Sequence, residues 1–82
     1  MATITPGKRL YPNAEGHLIL RPGEYGKDNE GHWWCRPPRG DIGTLDDHEV
    51  VEHDDHTITV RPSILLEGVW HGSLTFGIWE EV

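Results

Sequence analysis

Ten glycines and six prolines are spread through only 82 residues, and they cut the apolar stretches to strand length. Glycine loses the most backbone entropy on ordering and proline donates no amide proton, so neither suits the interior of a long helix. The apolar runs left between them are HLIL (17–20), HWWC (32–35), HEVV (48–51), TITV (57–60), SILL (63–66), VWHGSL (69–74) and GIWEEV (77–82). Turn residues bound nearly all of them, which is the signature of short strands. The chain therefore reads as all-β, a small antiparallel sheet or open barrel built from three hairpins. Its length supports one small domain with a thin core. Residues 1–16, punctuated by Pro6, Gly7, Pro12 and Gly16, read as an extended N-terminal arm, and residues 17–82 as the domain itself. Apolar residues make up only 35% of the chain, so the four tryptophans, two tyrosines and one phenylalanine must supply much of the core volume.

Three segments share a turn grammar: DNEGH (28–32), HDDHT (53–57) and LTFGI (74–78). Each fits a three-residue hairpin loop, a type I turn followed by one left-handed residue. That position falls on Gly31, His56 and Gly77, and the histidine is strained where the glycines are not. In HDDHT this loop pairs His53 with Thr57, Val50 with Val60 and Glu49 with Arg61. Val50, Ile58 and Val60 then share a core face, and His53, Thr57, Thr59, Glu49 and Arg61 the other. A two-residue loop would mix the faces, so the three-residue register is expected. The segment TLDDHEVVE (44–52) could also start a helix capped by Thr44. Its apolar residues Leu45, Val50 and Val51 make a poor helical stripe, so strand is expected from His48 onward. In the last hairpin the same grammar pairs Leu74 with Ile78 and Ser73 with Trp79. Leu74, Ile78, Trp70 and Val82 then share one face, and Trp79 and His71 the other.

The net charge is −7, with fourteen acids against seven bases. Asp41, Asp46, Asp47, Glu49, Glu52, Asp54 and Asp55 follow one another without an intervening Lys or Arg. Such a surface repels phosphate backbones, so duplex nucleic acid is not an expected partner. It is either a solvated face that keeps the domain soluble or a surface for a basic protein. No stretch approaches the roughly 20 apolar residues that cross a bilayer, and the first residues lack the apolar core of a signal peptide. Cys35 stands alone, so no disulfide can form within the chain. A soluble cytoplasmic protein is the simplest expectation.

The pattern W-W-x-R-P-P-x-G (33–40), L-x-x-H-x-V-x-E-H-x-D (45–55), T-I-T-V-x-P-S-I-L (57–65) and W-H-G-x-L-x-x-G-x-W (70–79) resembles a group of short, uncharacterised proteins. They are encoded by bacteriophages and prophages, notably of actinobacteria. The resemblance spans about residues 18–82 and implies a viral accessory protein working in the host cytoplasm, with no activity attached to its motifs. Those proteins usually read D-G-T where this chain has Asp55-His56-Thr57, and a glycine there is what the bulge geometry asks for.

Candidate chemistry is sparse. Zinc needs about four converging ligands, and no C-x-x-C or H-E-x-x-H spacing is present. His48, His53 and His71 would form a metal set only by tertiary convergence; neither a metal nor another cofactor is expected. Cys35 follows two tryptophans in an expected strand and reads as a small apolar filler. Arg21, Arg36 and Arg61 each precede a proline that would end a strand, and together could hold a small anion such as a nucleotide. Four tryptophans are more than one thin core hides completely. Trp34 and Trp79 are expected on an outer face beside Arg36 and His71, making either a protein-binding patch, a second small cluster, or a self-association surface. Asp46, Asp47 and Glu52 are the acidic counterparts of that patch. The function expected is non-catalytic binding of a host protein, with redirection or evasion of a host defence as its purpose. The alternatives are a nucleotide-like anion binder or a histidine-based metal module.

Overall fold

Adjacent tryptophans, alternating polarity and frequent turn residues resolve into nine short strands in a computed structural model that describes residues 3–82. They are β1 (Thr3–Pro6), β2 (Lys8–Leu10), β3 (Glu24–Lys27), β4 (Trp33–Cys35), β5 (Gly43–Thr44), β6 (Glu49–Glu52), β7 (Ile58–Leu66), β8 (Trp70–Thr75) and β9 (Ile78–Glu81). The described residues contain no helix, and none therefore long and apolar enough to cross a membrane. Five strands form one sheet in the order β1-β9-β8-β7-β6, and four form a second in the order β2-β3-β4-β5. All neighbours are antiparallel except β2 and β3. The all-β expectation holds, and neither sheet closes into a barrel.

The core lies between the inner faces. Tyr25 and Cys35 come from the four-stranded sheet, and Ile58, Val60, Ile64, Trp70, Leu74 and Trp79 from the five-stranded one. Leu45 closes it from the turn after β5. Trp79 is fully buried, meets Trp70 edge to face at 5.3 Å, and donates its Nε1 proton to Gly23 O at 2.8 Å. That bond ties the last strand of one sheet to the turn that opens β3 in the other.

Residues 3–10 do more than trail the domain. β1 adds to β9 as an edge strand, and β2 adds to β3, so residues 3–10 bridge both sheets. The crossing point is Gly7, whose amide donates to Gly77 O at 2.8 Å. A Cβ there would lie 2.5 Å from that carbonyl and 3.0 Å from both Trp79 and Tyr25, so only glycine fits. Arg9 then reaches between the sheets. It donates to Glu52 Oε2 at 3.0 Å and to His56 O at 2.9 Å, with its guanidinium 4.7 Å from the Tyr11 ring centre and 4.8 Å from that of Trp33.

The HDDHT register is as the loop grammar requires: Glu49 faces Arg61 and Val50 faces Val60. His53 N donates to Thr57 O and His56 N to His53 O, with His56 at φ 71°. DNEGH closes in the same way around Gly31. The third loop of this kind is NAEGH (13–17), where Asn13 and Gly16 take the places of Asp28 and Gly31. LTFGI is different. Thr75 pairs with Ile78, leaving a two-residue turn in which Phe76 (φ 47°) and Gly77 (φ 75°) are both left-handed. Positive φ at both central positions defines the type I′ turn, whose twist suits a hairpin. The shift pairs Leu74 with Trp79 and sends Trp79 inward, reversing the face expected for it. Ile78 and Val82 accordingly lie on the outside.

Two further expectations change. HLIL forms no strand; Leu20 is buried and Leu18 packs over Gly26 as the chain loops across the four-stranded sheet. Proline does not end β7, because Pro62 sits within it where the β7–β8 register shifts between Val60 and Ile64. An irregularity is the one place inside a strand that accepts a residue without an amide proton.

The His56 carbonyl is fixed by Arg9, but its side chain gains nothing comparable from the left-handed geometry. Replacing it with glycine removes a steric cost of about 1–2 kcal/mol and adds some unfolded-state entropy. His56→Gly is expected to raise stability by roughly 0.5–1 kcal/mol in urea melts. A clear loss of stability would mean that the imidazole itself supports the fold.

Candidate functional site

The outer face of the five-stranded sheet is where the structure departs most from what folding alone demands. Across its strands lie Ile4, Glu80 and Ser73 in one row and Ile78, Thr75, Thr59 and Val51 in the next. Ile4 is 63% exposed, Val51 46% and Ile78 41%, although alternation on a solvated face favours polar residues. At one end stands Phe76, 58% exposed and held at positive φ. A bulky residue in that region is a genuine backbone outlier, and asparagine or glycine is the usual occupant of its turn position.

Neighbours hold the ring in place. Phe76 stacks on His53 with centroids 3.9 Å apart and planes 11° from parallel. His53 Nε2 lies 2.7 Å from Thr59 Oγ1, and that same hydroxyl accepts the Phe76 amide proton at 3.0 Å. Thr59 is buried on an otherwise outward face because these two rings cover it. Val51, His53, Thr59, Arg61, Thr75 and Phe76 line a hollow of about 160 Å³ beside the stack. The arrangement is a fixed aromatic platform with an apolar floor, one arginine, and acids at Glu49 and Glu80. It suits contact with another molecule's apolar side chain better than it suits bond making.

The residues singled out in the sequence do not assemble elsewhere. Trp34 is half-buried on the outer face of the four-stranded sheet and donates Nε1 to Asp28 Oδ2 at 2.9 Å, while Trp79 lies in the core, so no Trp34/Trp79 face forms. Arg36 spends its guanidinium on Gly40 O and Leu20 O. Arg61 belongs to the other sheet, in the hollow beside Phe76, so it does not join Arg36 in an anion site. His71 Nε2 lies 2.9 Å from Ser63 Oγ, and His48 Nε2 lies 3.3 Å from Ser63 O. His48 and His71 thus approach different atoms of Ser63 while His53 sits with Thr59, and among the described residues no three His, Cys, Asp or Glu side chains gather at one point. Asp46 Oδ1 is 3.4 Å from His32 Nδ1, Asp47 is exposed, and Glu52 is taken by Arg9. The hydrogen bond from Arg9 holds the Glu52 carboxyl below its ordinary range. Burial pushes the Cys35 thiol up to about 12, which leaves it without the thiolate a nucleophile needs.

Sequence reasoning missed Phe76, Ile4, Ile78 and Val51. The available signal was the Phe-Gly pair between two apolar runs, since in the type I′ turn that two-residue hairpins favour the residue before glycine is itself left-handed. Comparison with known proteins returns no match to a family model, a curated sequence or a solved structure.

Phe76→Asn restores the usual residue of a type I′ turn while deleting the ring. Strain relief of about 1–2 kcal/mol then offsets a lost stack of about 0.5–1.5 kcal/mol. Urea melts are expected to differ from the parent by less than about 1 kcal/mol. A loss beyond about 2 kcal/mol would show that the ring holds the fold together instead of projecting from it.

Proposed function

We propose that this protein is a non-catalytic binding module that engages another protein through the outer face of its five-stranded sheet, with Phe76 as the anchor. The observation that carries this reading is an exposed phenylalanine maintained in a left-handed conformation. Strain of that kind persists where the surrounding structure enforces it, and it clusters at ligand clamps and recognition sites. Rigid aromatics presented on a firm scaffold are the usual energetic centres of protein interfaces. Glu49 and Glu80 on the same face, together with the net charge of −7, favour a partner with basic groups around an apolar centre and disfavour bare nucleic acid. The motif pattern over 33–40, 45–55, 57–65 and 70–79 supports a bacteriophage accessory protein whose partner is a host protein in the bacterial cytoplasm. Redirecting that protein, or blunting a defence it serves, is the role such an accessory would have.

The test uses tagged parent and Phe76→Asn proteins as parallel baits in one actinobacterial lysate, read by quantitative mass spectrometry. One host protein enriched by the parent and reduced at least about tenfold with Phe76→Asn is expected, a change typical of losing a central aromatic. Equal capture by both baits would remove Phe76 as the anchor. Saturable binding of the parent to bare duplex DNA at physiological salt would contradict a protein partner altogether.

A further inference from the structure

A second hollow lies on the opposite side of the molecule, over the four-stranded sheet. It measures about 350 Å³ and is walled by Gly16, His17, Leu18, Asp28, Trp34 and Ile42. That volume is within the range of small-ligand pockets, about 300–1,000 Å³. Two turns of the same design build it. In DNEGH, Asp28 Oδ1 accepts the amide protons of Glu30 and His32, each at 2.9 Å. In NAEGH, Asn13 Oδ1 does the same for Glu15 and His17. The Asp28 turn carries a charge that the Asn13 turn shows to be unnecessary for turn formation.

Among the described residues Asp28 is also the only Asp, Glu, Lys or Arg in the wall. Its Oδ2 accepts the Trp34 indole proton at 2.9 Å and retains a lone pair for a second donor. The Trp34 indole, then the His32 amide, hold this carboxyl below its ordinary range, so it is ionised at neutral pH. Around it stand Leu18 on one side, Ile42 left exposed at the mouth, the fixed indole of Trp34, and His17 with Gly16 from the NAEGH turn. An anion would meet an unneutralised carboxylate here, whereas a cation meets a compensating charge.

We infer that this hollow binds an organic cation, an alkylammonium group whose charge sits against Asp28 and whose carbon chain packs on Leu18, Ile42 and Trp34. The group can belong to a free amine or to a lysine side chain; the chemistry that recognises it is the same. The site is independent of the Phe76 face, because the two lie on the outer faces of different sheets.

The Trp34 indole proton reports binding directly, and ¹H–¹⁵N NMR of the whole chain can follow it, with Trp34→Phe assigning the signal. Titration with n-butylammonium is expected to shift it saturably, with 1-butanol and butyrate binding at least about tenfold more weakly because they lack the charge. Nα-acetyl-lysine methylamide separates the two sources: tighter binding than butylammonium assigns a lysine side chain, and weaker binding a free amine. Asp28→Asn keeps the turn, as Asn13 does, and removes the charge. Ile42→Arg places a tethered cation at the mouth. Both variants are expected to abolish the butylammonium shift, while Phe76→Asn leaves it intact. An equal response to 1-butanol or butyrate, or a full shift persisting in either hollow variant, would overturn the assignment.

Discussion

The burial of Trp79 is the interaction on which the rest of this structure depends. A chain with few aliphatic residues must obtain its core from a few large rings, and this one places its largest where both sheets meet. The indole fills the volume between β9 and the turn before β3, and its single polar atom finds a buried acceptor in Gly23 O. A buried donor left unpaired would cost about 1–3 kcal/mol, so the bond decides the orientation of the ring as well as its burial. Gly7 completes the arrangement, since a side chain there would displace both Trp79 and Tyr25. The edge strands β1 and β2 can bridge the two sheets only because the backbone passes that close to the indole.

Concentrating cohesion at one point leaves the outer faces free of any duty to hold the fold. The five-stranded sheet uses that freedom to present Phe76, Ile4, Ile78 and Val51, and the four-stranded sheet to frame a hollow around Trp34 and Asp28. Arg9 secures the open end between the sheets by stacking with Tyr11 and Trp33 while bonding across to the β6–β7 hairpin. That clasp is mostly shielded from water at the arginine, with Glu52 at its more exposed end. It joins residues 3–10 to the acidic segment, so Glu52 acts first as a partner of this chain.

Much of this was legible from the residues, and the failures have a common physical origin. The HDDHT register could be read because only one loop length separates Val50, Ile58 and Val60 from Glu49 and Arg61. The last hairpin was misread because glycine at the third loop position and glycine at the second of two are equally natural, and the second choice forces a phenylalanine to positive φ. Local preference therefore favours the longer loop, and tertiary packing overrules it: the shorter loop turns Trp79 inward, which is worth far more than the strain at Phe76. One residue of register inverted the expected roles of Trp79, Ile78 and Val82, and with them the expected binding patch. HLIL was misread for a simpler reason, since three apolar residues after a histidine cannot by themselves distinguish a strand from a covering loop. The likeness between NAEGH and DNEGH carried the correct signal that residues 13–17 form a turn.

The central claim is that Trp79 holds the two sheets together while Trp34 is free of that task. Parallel urea melts of Trp79→Phe and Trp34→Phe test it most directly. Trp79→Phe removes the indole donor from Gly23 O, which keeps the longer bond from Lys8 N, and leaves a void, so a loss on the order of 2–4 kcal/mol is expected. Trp34→Phe forfeits one half-exposed hydrogen bond to an ionised carboxylate and should cost no more than about 1.5 kcal/mol. Equal losses in the two variants, or a larger loss at Trp34, would contradict the account.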